Sequence, residues 1–100
     1  MFRKSVLGIL VAASSLFAHS AIMNCFDNGD GTITCEGGFS DGSSASGVEF
    51  RVEQDGKVLI KDKMSKNSEF TFKKPSGTYT AIFNAGEGHQ VVLDGKDIVQ

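Results

Sequence analysis

The sequence predicts an all-β chain, a seven-stranded antiparallel β-sandwich, and three observations carry that prediction. Beyond residue 20, no stretch keeps a 3.6-residue apolar period for three turns, whereas short runs of apolar–polar alternation recur throughout. Turn sequences such as Asn28-Gly29-Asp30-Gly31, Asp55-Gly56, Pro75-Ser76-Gly77 and Asp94-Gly95 punctuate those runs at about the spacing of a small sandwich. The only two cysteines, Cys25 and Cys35, flank the first of these turns symmetrically.

The first predicted hairpin lays Met23 to Asp27 against Thr32 to Glu36, because Gly and Asn tolerate the positive φ that a tight turn needs. Folding about Asp30 sets Cys25 opposite Cys35, so a disulfide there pins the register of an edge strand. Gly37 to Gly47, rich in Gly and Ser, is expected to be an ordered connection rather than a strand, with Phe39 as its anchor. Val48, Phe50 and Val52 then alternate with Glu49, Arg51 and Glu53, giving one apolar and one wet face.

After Asp55-Gly56, the strand Lys57 to Met64 returns with Val58, Ile60 and Met64 inward, and Leu59 implies cover on its other face as well. Ser65 to Ser68 connects to Glu69–Lys73, with Phe70 and Phe72 inward. Thr78 to Ala85 reads as a central strand, with Tyr79, Ala81 and Phe83 on one face and Ile82 on the other. Gly86-Glu87-Gly88 is a corner, and Gln90 to Leu93 is the last strand. Neither an internal repeat nor a second domain is visible.

Residues 1–20 read as a cleaved signal peptide. Arg3 and Lys4 form a cationic start, Val6 to Phe17 an apolar run too short to span a bilayer, and Ala18-His19-Ser20 a small-x-small cleavage signal. The expected product is a periplasmic or secreted domain, residues 21–100, with no membrane insertion after cleavage. In that oxidising setting two nearby thiols are bridged, and their ten-residue separation is unlike the tight Cys-x-x-Cys of redox and metal sites. A loop of that length contributes about 3 kcal/mol by chain entropy, a large share for a domain with so thin a core.

Without the leader, eight Lys and Arg stand against twelve Asp and Glu, a net of minus four. Nucleic acid is therefore not an expected partner. No Gly-x-Ser-x-Gly elbow surrounds Ser40, Ser43, Ser44 or Ser46, and one histidine, His89, follows the leader, so the chain is read as no enzyme. Asp27 to Gly31 superficially looks like an acidic calcium loop, but position 38 is Gly where that motif needs Glu. A transition-metal site would draw on His89 and Asp41, with Met23 as a further donor, although one imidazole alone makes no site. The Gly37–Gly47 loop offers Phe39, Ser40 and Ser43 as a ligand- or partner-binding surface.

Asp41-Gly42, the run Gly47-Val48-Glu49-Phe50-Arg51-Val52, then Asp55-Gly56-Lys57-Val58-Leu59, Ser68-Glu69-Phe70-Thr71-Phe72, Pro75-Ser76-Gly77-Thr78-Tyr79 and Ala85-Gly86 together resemble the carboxypeptidase-regulatory-like modules. The likeness covers about residues 36–88 and implies a prealbumin-like (transthyretin-like) sandwich. The chain departs from the pattern with Asn67-Ser68 for Asn-Gly, with Gly88-His89 for Gly-Tyr, and with the added cysteine hairpin. The stretch Glu36-Gly37-Gly38-Phe39-Ser40-Asp41-Gly42-Ser43-Ser44-Ala45 and the later Gly86-Glu87-Gly88-His89 are similar to small exported bacterial proteins, some of which resemble accessory components of nickel or cobalt transporters. That resemblance implies a non-catalytic accessory module assisting nickel or cobalt uptake beside a membrane transporter. The alternative is an envelope interaction module that docks on a protein through a sheet edge or the Gly/Ser loop.

Overall fold

The computed structural model describes residues 20–100. The predicted leader, save Ser20, lies outside them. Seven strands follow in order: β1 Ala21–Asp27, β2 Thr32–Phe39, β3 Glu49–Gln54, β4 Lys57–Lys63, β5 Glu69–Lys73, β6 Thr80–Asn84 and β7 Gln90–Asp94. They form two antiparallel sheets, β1-β2-β5 and β4-β3-β6-β7, giving a β-sandwich-like architecture.

The first hairpin has the expected register, with Cys25 opposite Cys35 and the two joined by a disulfide across 4.0 Å between Cα atoms. Its turn closes through short side chains that satisfy the chain's own amides: Asp27 Oδ1 accepts from Gly29 N–H at 2.8 Å, and Asp30 Oδ1 from Thr32 N–H at 3.0 Å. β2 runs further than the sequence predicts, through Gly37 and Gly38 to Phe39. The cause is a close approach: a Cβ on Gly37 would sit 2.6 Å from the Phe83 ring and 2.9 Å from the Met64 methyl. This glycine keeps the strand while letting the opposite sheet in.

One core joins the sheets. Met23, Ile33, Cys35 and Phe72 from the first meet Phe50, Val52, Ala81 and Phe83 from the second. The Phe50 ring lies 4.9 Å from Phe70 and 5.6 Å from Phe72. Ile82 is buried on the outer face, opposite Arg51 in the β3–β6 ladder.

Strand β4 corrects the sequence reading. The register shifts between Val52 and Glu53, so Val52 faces Ile60 while Glu53 faces Val58, and Leu59 is the extra residue. Val58 is thereby turned out, 53% exposed, and Leu59 is 48% exposed rather than covered. β6 also begins later than predicted, at Thr80, and a three-residue 3-10 turn, Gly95–Asp97, follows β7.

The two long sides of the sandwich differ. On the β1/β7 side the segment after β7 is tied in, with Asp27 N–H bonding Val99 O at 3.0 Å and Ile98 buried; Lys74 Nζ, beyond β5, bonds the Asp27 carboxylate at 3.0 Å. On the other side β4 and β5 are the outer strands of their sheets, with no further strand beside either among the described residues.

Candidate functional site

The Gly/Ser loop is held by its own hydrogen bonds. Gly42 N–H returns to Phe39 O at 2.8 Å, and Asp41 Oδ1 accepts both Ser43 N–H, at 3.0 Å, and Ser43 Oγ, at 2.7 Å. Ser40 bonds back to Ser20, its N–H donating to Ser20 O and its Oγ accepting Ser20 N–H, both at 2.9 Å. Phe39 is half-buried 5.9 Å from Phe83, where it anchors the loop as predicted. A second anchor escaped the sequence reading: Ala45 is fully buried, and its N–H donates to Ser68 Oγ at 2.9 Å. Ser68 itself carries a φ of 62°, which places its hydroxyl under the loop.

His89 sits half-buried in the β6–β7 corner, donating its N–H to Gly86 O at 2.9 Å and accepting Ala85 N–H at 3.0 Å. Because Phe39 packs on Phe83, and β6 exits directly into that corner, the Asp41 turn and His89 occupy the same end of the sandwich. Met23, the further candidate donor, is buried in the core. Among the described residues no three His, Cys, Asp or Glu side chains converge to hold a metal ion.

A charged row runs along β3 on the outer face of the larger sheet, starting at that end. Arg51 reaches Glu49 at 2.5 Å and Glu53 at 3.1 Å, and Asn84 Nδ2 donates to Glu49 at 3.1 Å. The Asn84 amide first, then Arg51, hold the Glu49 carboxyl below its usual range, and Glu49 in turn raises the Arg51 guanidinium. At the opposite end the Tyr79 hydroxyl is buried without a hydrogen-bond partner, and burial pushes its pKa up.

No family model matches the chain, and no curated protein or solved structure matches it. What the chain can do therefore rests on its own surface. The surface recesses include one of about 350 Å³ beside Gly47, Glu49 and Lys61–Lys63, and one of about 300 Å³ between Lys74, Tyr79 and Lys96. No helix among the described residues is long and apolar enough to cross a membrane.

The feature that sequence reading missed is the β4 border. Met64 N–H bonds Val48 O at 2.8 Å and Gly47 N–H bonds Met64 O at 3.0 Å, so Met64 spends both backbone groups on the neighbouring strand. Two-residue alternation then turns the backbone groups of Lys61 and Lys63 outward. Lys63 N–H is met there by Asp62 Oδ1 at 2.8 Å. The run Val58-Leu59-Ile60 had hidden this, since three consecutive apolar residues read as covered strand unless a bulge is foreseen.

Proposed function

We propose that this chain is an exported, non-catalytic binding module of prealbumin-like type, residing in the periplasm or outside the cell, that docks on an envelope protein or membrane transporter through a sheet edge. The observation that carries the reading is the outer strand β4, with outward backbone groups at Lys61 and apolar side chains exposed at Val58 and Leu59. The disulfide supports export, because such bonds persist in oxidising compartments. The test is affinity capture of the leaderless, oxidised chain from a cross-linked exported fraction. A stoichiometric partner lost on Leu59→Asp is the expected result, and capture indifferent to that change refutes edge docking.

A second reading keeps the link to nickel or cobalt uptake. It is favoured by one observation, the placement of Asp41 and His89 at the same end of the sandwich. Calorimetric titration with nickel, cobalt and copper, comparing His89→Ala, decides it. Binding weaker than about 100 μM, near the range where few convergent contacts remain, ends that reading.

A further inference from the structure

Charge is unevenly distributed along this chain. From Lys57 to Lys73, five lysines face two carboxylates, whereas the rest of residues 20–100 carries three cations against ten carboxylates. That basic segment is β4, its connection and β5, the unsealed side of the sandwich. We propose that the β4 border accepts an extended acidic segment of a partner protein as an added antiparallel or parallel strand; this rests on the edge-docking reading and specifies its partner.

Three features favour that occupant. Backbone groups of Lys61 point away from β3 and supply the ladder bonds that an incoming strand needs. Val58 and Leu59, both about half exposed, give its alternate side chains an apolar rest. Lys61, 65% exposed and only loosely engaged by Glu49 at 3.9 Å, stands with Lys63 beside the path, where carboxylates on the incoming strand would lie. A second copy of this chain fits poorly in the same place. Antiparallel β4–β4 pairing about Ile60 would set Lys57 against Lys63 on both sides, a like-charge pairing that disfavours self-association. Asp62 is the one obstacle, since its carboxylate occupies the Lys63 amide and must swing aside.

The experiment titrates the isotope-labelled oxidised domain with a short synthetic peptide alternating Glu with Val or Thr. The controls are a Lys-for-Glu peptide, an acidic peptide interrupted by proline, and phosphatidylglycerol vesicles. Expected are amide shifts and slowed exchange centred on Leu59 to Lys63, with binding weakened about tenfold by Lys61→Glu with Lys63→Glu, by Leu59→Asp, and by raised salt. Equal binding of the proline-interrupted peptide, shifts mapping to β1 or β7, or indifference to the lysine reversal overturns the proposal. So does vesicle binding through these lysines with no peptide bound. A partner captured as strongly by the lysine-reversed chain leaves the edge-docking reading standing and removes only its acidic occupant.

Discussion

Gly37 and Tyr79 are the two residues at which small changes have the clearest sign. A methyl added at Gly37 has nowhere to go between the fully buried Phe83 ring and Met64, so Gly37→Ala is expected to destabilise by about 1–3 kcal/mol in urea unfolding. Tyr79 runs the other way. Its ring is needed, meeting Phe72 edge-on at 6.2 Å, but its hydroxyl is buried with nothing to bond. Tyr79→Phe should leave stability unchanged or raise it by about 1 kcal/mol, and a loss would mean that the hydroxyl has a partner in solution. The turn carboxylates respond to pH. Gly29 N–H and then Lys74 hold Asp27 below its usual 3.8, and the Thr32 hydroxyl and then its N–H do the same for Asp30. A depressed carboxylate contributes stability above its unfolded pKa and loses it as pH falls through the folded one. The urea midpoint should therefore drop between about pH 4.5 and pH 2, and less steeply in Asp27→Asn.

Among the elements, the cysteine hairpin was the most legible in sequence, because turn chemistry and symmetric spacing fix a register without tertiary information. Its disulfide gives a direct test: reduction, or paired Cys25→Ser and Cys35→Ser changes, should cost about 3 kcal/mol, measured by chemical denaturation with and without reductant. The inward faces of β5 and β6 were legible for the same local reason, since Phe70 and Phe72, and Ala81 and Phe83, stand two residues apart. The extent of β2 was not legible. Gly37 and Gly38 read as a loop because glycine's role there, admitting a ring from the other sheet, depends on a residue 46 positions later in the chain. The β4 bulge failed for a related reason: an extra residue leaves no mark in composition, and it turns Val58 from the core face to the solvent. As for the candidate site, the loop turn at Asp41 and the anchor Phe39 were readable from Asp-Gly and a lone aromatic. Ala45 and Ser68, which fasten that loop, carry no pattern of their own.

For the molecule as a whole, stability depends on one core bounded on the β1/β7 side by the terminal segment. Ile98→Ala should lower the thermal midpoint, at a cost of about 2–4 kcal/mol, and should speed hydrogen exchange at Asp27, whose amide is held by Val99. Net charge alone obscures the division between a basic β4–β5 segment and an acidic remainder; the uneven run is present in the sequence, and topology gives it meaning by bringing those two strands to the same side. The tie between Asp27 and Val99 also biases where the sheets can grow. Val99 takes up one amide of β1, whereas β4 and β5 have no further strand beside them among the described residues, so an added strand is expected on the basic side and not beside the hairpin.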